Sequence, residues 1–246
     1  MAEPSTPRSA APGAVWLTGA WLGAAAFVFS LGLFLYAYVA WFGATDTGPW
    51  IRPAAVNAGL FSVFALHHSI LARAWAKRLI VRTVPSWFER SLFTWVASLL
   101  FIAVVLEWQT VPGVLYRLDG PWRAAGYAAQ AAGLAITALG SSALDVLDLA
   151  GVRPVLDARG AAPPRHVPLE TQGIYRLVRH PVYFGWVLIV FGAPDMTATR
   201  ATFAIVSTAY LVAAIPFEER SLGHVFGDAY RAYQARTRWR MVPGIW

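Results

Sequence analysis

The sequence predicts an all-α membrane protein: a polytopic transmembrane bundle of about six spans, the last two forming a helical hairpin. Three observations carry this. The 246-residue chain is 57% hydrophobic and 13% charged, with a mean hydropathy of +0.50, too apolar for an ordinary soluble domain. It contains several apolar runs near the ~20 residues a spanning helix needs. Its Lys and Arg residues concentrate in alternate loops, as the positive-inside rule requires of a multi-pass protein.

Taken in order, residues 1–13 are rich in Pro, Ala and Ser and read as a disordered N-terminus. Val15–Phe42 is too long for a signal-peptide core and reads as the first span. Pro53–Leu71, Phe93–Val111 and Ala124–Leu144 are the second, third and fourth. Val182–Ala193 is short, and Ala198–Phe217 is long enough for a sixth. Gly192-Ala193-Pro194-Asp195 between them reads as a tight turn. Without internal repeats, residues 14–246 read as one membrane domain.

Charge orients these spans. Arg73, Lys77, Arg78, Arg82 and Arg90 follow the second span; Arg153, Arg159, Arg165, Arg176 and Arg179 follow the fourth; Arg220, Arg231, Arg236, Arg238 and Arg240 follow the sixth. The alternate loops hold only Arg52, Arg117, Arg123 and Arg200. Six spans with both termini cytoplasmic satisfy this asymmetry. The absence of Cys excludes disulfides, Cys-ligated metal and a thiol nucleophile. The net charge of +7 fits anionic lipid or an anionic ligand group rather than a nucleic-acid partner.

Two segments concentrate chemistry at the expected cytoplasmic edge. In Gly173-Ile-Tyr-Arg-Leu-Val-Arg-His-Pro-Val-Tyr-Phe-Gly185, Pro181 suits the first position of a helix, so His180 sits near its cap. Free N–H groups there attract anions, and Arg176 and Arg179 add fork-shaped donors suited to a carboxylate. The plainer reading is that these arginines anchor a helix end among lipid headgroups. The second segment is Pro216-Phe-Glu218-Glu219-Arg220, followed by Phe226-Gly-Asp-Ala-Tyr230 and Tyr233. Its carboxylates suit an ammonium or a ribose diol, or simply a solvated helix turn.

Together these segments resemble the C-terminal signature of isoprenylcysteine carboxyl methyltransferase-like membrane enzymes, with Gly-x-Tyr-x-x-x-Arg-His-Pro-x-Tyr-x-Gly, an apolar hairpin, Glu-Glu, and Phe-Gly-x-x-Tyr-x-x-Tyr. The resemblance covers residues 173–233 and implies S-adenosylmethionine bound without a Rossmann unit. By it, Tyr175, Arg179, His180, Pro181, Tyr183 and Gly185 line the cofactor pocket, and Glu218 and Glu219 complete it. Gly185 would leave room for close approach, an Arg and the helix start would hold the methionyl carboxylate, and a Glu would hold the amino group or ribose.

The N-terminal half, with Phe64-Ala-Leu-His67-His68-Ser69, Val84-Pro-Ser-Trp-Phe-Glu89-Arg90, Glu107-Trp-Gln109 and Asp145-Val-Leu-Asp148, resembles the bacterial branch holding methanethiol S-methyltransferases and NnrU-like proteins. His67 and Thr110 depart from that pattern. His68 is a candidate proton acceptor at the methyl acceptor, because imidazole titrates near neutrality; a hydrogen-bonded interhelical His is the plainer alternative. Adjacent helix residues diverge by ~100°, so the His pair alone holds no metal, and none is expected. Glu89 and Arg90 either pair with each other or close the site, and Asp145 and Asp148 cap or bind. Trp50, Trp87, Trp108, Trp122 and Trp186 read as an aromatic belt.

The resemblance therefore implies a membrane methyltransferase of the bacterial inner membrane, with Arg179, Glu219 and His68 as its catalytic candidates. Its acceptor would be a small thiol such as methanethiol. A lipid-like acceptor (an isoprenylcysteine carboxylate or a phospholipid amine) and an NnrU-like non-catalytic protein of nitrogen-oxide metabolism are the alternatives. Oligomeric state is not legible.

Overall fold

A computed structural model describes residues 12–71, 73–160 and 168–246. The expected disordered tail (1–13, save its last two residues) and Arg165 lie outside them. Four helices have the length and hydropathy to cross a membrane: α1 (Ala14–Ala40), α2 (Ile51–Leu71), α4 (Glu89–Leu106) and α9 (Ala198–Phe226). Between α2 and α4 runs the short α3 (Ala74–Ile80). Apolar side chains such as Val28, Val63 and Ile205 point outward, each more than half exposed. Lipid tolerates such faces, because a spanning helix satisfies its own backbone and needs no polar surface.

The six-span expectation is thus met plainly by four. α5 (Gly120–Ser142) has the length, but its apolar run is diluted by Gly126, Gln130, Gly133, Thr137 and Gly140. α8 (Pro181–Phe191) has only 11 residues, about 16 Å at 1.5 Å per residue, against a hydrocarbon core of ~30 Å. The two pack closely. Gly126, Gly133 and Gly140 recur every seven residues on one face of α5 and are its buried positions. A Cβ on Gly133 would stand 2.6 Å from the Gly185 carbonyl oxygen, and one on Gly126 2.9 Å from that of Gly192. Small residues let helix backbones approach where no hydrophobic effect drives association. The expected α8–α9 hairpin is present in chain order, but α8 lies chiefly against α5.

The all-α expectation also misses a two-stranded sheet. β1 (Val114–Arg117) and β2 (Asp195–Thr197) pair antiparallel, with Val114 opposite Thr197 and Arg117 opposite Asp195. The predicted turn at Gly192–Asp195 therefore runs into a strand. β2 passes directly into α9, capped by Thr197, whose Oγ1 accepts from Arg200 N at 3.2 Å. α9 then continues nine residues beyond the expected boundary at Phe217, so Glu218 and Glu219 lie on the helix itself. Pro216 lacks an N–H and removes one rung of the helix ladder just below them.

Aromatic rings fill the centre. Phe34, Phe61, Phe101, Trp186 and Phe203 interlock at centroid distances from 4.8 to 5.9 Å. Trp186 is thus a core residue whose Nε1 donates to Ser207 Oγ at 3.0 Å, and Trp108 stacks on Phe42; neither belongs to a belt. The basic end is closed by α6 (Val146–Leu149), α7 (Arg153–Ala158) and α10 (Asp228–Arg236). Asp145 caps α6, accepting from Leu147 N and Asp148 N, and pairs with Arg153 Nε at 2.8 Å. That settles the Asp145 alternative as a cap. The Arg153 hydrogen bond, which outweighs partial burial, holds the Asp145 carboxyl below its ordinary range. Gly151 (φ +77°) meets α4, where any Cβ would stand 2.6 Å from Ser91 Cα.

Candidate active site

The two motif segments meet at the basic end. A 3-10 turn, Gly173–Arg176, precedes α8, and His180 stands as the N-cap with Pro181 in the first turn, as the local rule predicts. Arg179 Nε donates to Glu219 Oε1 at 2.7 Å, and both side chains are 7% exposed. His180 bridges the carboxylates, with Nδ1 3.5 Å from Glu218 Oε2 and Nε2 3.5 Å from Glu219 Oε1. Its ring stacks on Tyr183 at 5.4 Å, and the Tyr183 hydroxyl donates to Glu218 Oε1. Arg179, His180, Tyr183, Glu218 and Glu219 thus form one cluster.

Other expected residues sit differently. Tyr175 is one step removed: its hydroxyl donates to the Gly140 carbonyl at 3.1 Å, and its own carbonyl accepts from the Tyr233 hydroxyl at 2.7 Å. Pro181 packs toward Gly140. Gly185 faces α5 rather than the cluster, and its missing side chain serves helix packing. Arg176 turns outward to Gln172. His68 touches Phe64 and Phe93 at ring distances of 5.8 and 5.1 Å, and among the described residues no hydrogen bond or ion pair joins it to the cluster. His67 stacks on Phe93, and both its ring nitrogens are buried without a partner. Glu89 and Arg90 do not pair: Lys77 lies 3.9 Å from Glu89, and Arg90 Nε donates to the Asp148 carbonyl.

The anion-binding role expected of the α8 terminus is largely taken by the protein. Arg179 N and His180 N donate to the carbonyls of Trp239 and Arg240 at 3.0 and 2.8 Å. Tyr183 N and Phe184 N both donate to the His180 carbonyl. Three of the five Arg179 N–H groups are committed as well, Nη1 donating to the Thr237 and Arg238 carbonyls at 2.6 and 3.1 Å.

The C-terminal tail is the part that sequence reasoning missed. Arg240 Nε lies 3.4 Å from Glu219 Oε2, and Gln234 Nε2 donates to the same oxygen at 3.3 Å. The tail folds back on itself, as N–H groups of Arg240, Met241 and Val242 donate to the Trp246 oxygen. Arg240 also rests over the Trp246 ring, 5.2 Å from its centroid. The available signal is Arg238-Trp239-Arg240, five residues beyond the end of the motif at Tyr233, which reads equally well as interfacial charge.

The cluster can hold a ligand with both cationic and polar parts. Glu218 keeps 44% of its side chain exposed. Among the described residues the Tyr230 hydroxyl is buried without a hydrogen-bond partner, and His180 Nε2 has only its 3.5 Å approach to Glu219; such atoms are costly unless something satisfies them. Burial, with Glu219 nearby, pushes the Tyr230 hydroxyl up to about 12, and burial raises Tyr233 further. A cavity of about 500 Å³, lined by Arg117, Arg123 and Arg200 among others, lies at the opposite end of the bundle.

A model of the phospholipid methyltransferase family matches residues 160–229, spanning this cluster. A methanethiol S-methyltransferase of Mycobacterium tuberculosis is 35% identical over 184 residues, 74% of this chain and 75% of that protein. The chain belongs to the methanethiol S-methyltransferase family. A second member, from a Pseudomonas species, is 31% identical over 209 residues, 82% of this chain and 80% of its own. The protein-S-isoprenylcysteine O-methyltransferase B of Arabidopsis thaliana is 34% identical over 75 residues, only 29% of this chain and 38% of its own. No solved structure matches. As a member of this family the chain is a membrane methyltransferase, so the non-catalytic alternative falls away.

Proposed function

We propose that the chain methylates methanethiol to dimethyl sulfide, using S-adenosylmethionine as the methyl donor. The observation that carries this is the closure of Arg179 and His180 on Glu218 and Glu219, across 40 residues of chain, in a protein whose relatives match along three quarters of its length. The lipid-like acceptor has only the 75-residue likeness in its favour.

The donor, when bound, supplies an electrophilic sulfonium methyl. Glu218 and Glu219 would hold its ammonium or ribose hydroxyls, and the His180 Nε2 and Tyr230 hydroxyl would gain partners. Arg179 acts as a positioning residue: its Nε and Nη1 donate to Glu219 and two tail carbonyls and keep the carboxylate in place. Arg240 is less committed and 38% exposed, which suits it to the ligand's carboxylate. Orienting two reactants and excluding water are what such a site contributes. His68, whose ring packs on Phe64 and Phe93, would be the group that takes the thiol proton. The unit is residues 14–246, and its cofactor-binding part runs from 173–233 on through Arg240. Six segments cross the bacterial inner membrane, α5 and α8 as a closely packed pair, with both termini cytoplasmic.

The test is headspace detection of dimethyl sulfide from methanethiol and S-adenosylmethionine, with protein in proteoliposomes. Absence of product, with S-adenosylhomocysteine binding retained, would remove methanethiol as the acceptor. His68→Gln should slow thiol turnover while leaving S-adenosylhomocysteine affinity unchanged; unaltered turnover removes the proton role.

A further inference from the structure

At the bundle end remote from Glu219, charge is sparse, yet three arginines meet there. Arg117 on β1, Arg123 on α5 and Arg200 on α9 line a cavity of about 500 Å³ together with Asp119 and Asp195. Arg200 and Glu219 share α9, 19 residues apart, which is about 28 Å along a helix axis. The cavity thus lies roughly one hydrocarbon thickness from the methyl-transfer cluster.

Arg200 is 8% exposed. Its guanidinium donates to three carbonyls, those of Tyr38 (3.0 Å), Val39 (3.0 Å) and Asp195 (2.7 Å). These occupy three of its five N–H groups. Tyr38 and Val39 lie in the last turn of α1 and offer only the partial negative charge of a helix end. The Asp195 carboxylate is committed to Arg123, through contacts of 3.1 and 2.7 Å. Among the described residues no carboxylate pairs with Arg200 or with Arg117, which is exposed at the rim with Asp119. Three guanidiniums against two carboxylates leave a net positive cavity, and a buried charge without a counter-charge is costly. Trp41, Trp50 and Trp122 stand exposed at the same end, the level at which aromatic belts meet lipid phosphates.

We propose that this cavity binds a phosphate group, carried by an anionic lipid headgroup or free as inorganic phosphate. Forked guanidinium donors match phosphate oxygens in geometry and charge. The two remaining Arg200 N–H groups and the open Arg117 supply the contacts, and the cavity volume falls in the range of small-ligand sites. Occupancy would tie the end of α1 to the β1–β2 pair and to α9.

The full chain in a neutral detergent would be offered phosphatidylglycerol, read by native mass spectrometry, and inorganic phosphate, read by calorimetry. Arg117→Glu alters an exposed rim residue outside the methyl-transfer cluster, so its retained methyl transfer reports an intact fold. It should weaken binding by about tenfold or more, the scale of one charged contact, whereas Asp119→Asn should tighten it. Retention of phosphatidylglycerol alone, lost in Arg117→Glu, assigns a lipid headgroup; the same behaviour with inorganic phosphate assigns the free ion. If neither probe binds, or if both variants bind like the parent, the site is overturned.

Discussion

Replacing Glu219 by Gln keeps the shape of the side chain and one acceptor oxygen but removes the charge that Arg179 faces. Both side chains are 7% exposed and meet at 2.7 Å. At an effective dielectric of ~20, unit charges ~4 Å apart attract by about 4 kcal/mol. Removing one partner of a buried pair costs about 3–5 kcal/mol, because the other charge is stranded. Glu219→Gln should therefore cost about 3 kcal/mol, lowering the unfolding midpoint by roughly 6–12 °C for a chain of this size. Glu218→Gln is the control: with 44% of its side chain exposed, it should cost about 1 kcal/mol at most. The assay is thermal unfolding in detergent with and without S-adenosylhomocysteine, including the Arg179→Ala/Glu219→Gln double variant. The double variant should lose less than the sum of the singles, because the pair is coupled. Equal unfolding of the two Gln variants, or strict additivity with Arg179→Ala, would refute the pairing as the organising contact.

Gly185→Ala should destabilise the chain by about 1–3 kcal/mol through overpacking, since its Cβ would stand 2.6 Å from the Gly133 carbonyl oxygen. Gly59→Ala, with nothing within 4 Å, should instead be neutral or gain up to about 1 kcal/mol; equal melting of the two contradicts the packing role. Burial pushes the Tyr230 hydroxyl up from its ordinary 10.0 to about 12. Its raised value means that its contribution to stability is complete below pH 10 and is lost as pH rises toward 12. Tyr230→Phe should flatten that alkaline loss in denaturation curves, and it should also weaken S-adenosylhomocysteine binding if the ligand satisfies the hydroxyl. The depressed Asp145 works in the opposite direction: stability is present above its ordinary 3.8 and is lost as pH falls through the lower folded value. Arg153→Gln should reduce that acid-side slope, and an unchanged slope would remove the pair from the balance.

What the sequence revealed divides along physical lines. Pro181 announced the start of α8 because the missing N–H is a local property, needing no knowledge of the rest of the chain. Glu219 announced a role only through its motif, since 40 residues separate it from Arg179 and no periodicity joins them. Gly185 closes the motif, which implies clearance for a ligand; the counter-signal is the seven-residue stripe of Gly126, Gly133 and Gly140 on α5. The β1–β2 pair joins strands of four and three residues nearly 80 positions apart, too short for alternation to register. The tail contacts of Arg179 N and His180 N end on backbone carbonyls, and a carbonyl is the same in every residue.

The two guanidiniums at Glu219 show why a motif names residues more reliably than it assigns them tasks. Arg179 sits inside the motif, which implies a place in the cofactor pocket. Its Nε and Nη1 reach Glu219 and the carbonyls of Thr237 and Arg238, so it locks α9 and the tail onto the entrance of α8. Arg240 lies outside the motif, 3.4 Å from the same carboxylate and 38% exposed. A contact that loose and that open costs little to exchange, whereas freeing Arg179 would strand a buried charge. A ligand bringing an ammonium to Glu219 and a carboxylate nearby would therefore displace Arg240 and leave Arg179 where it is. Arg179→Lys, which loses the fork, should accordingly lower stability and ligand affinity together. Arg240→Gln should change affinity while leaving unfolding of the ligand-free chain nearly unaltered.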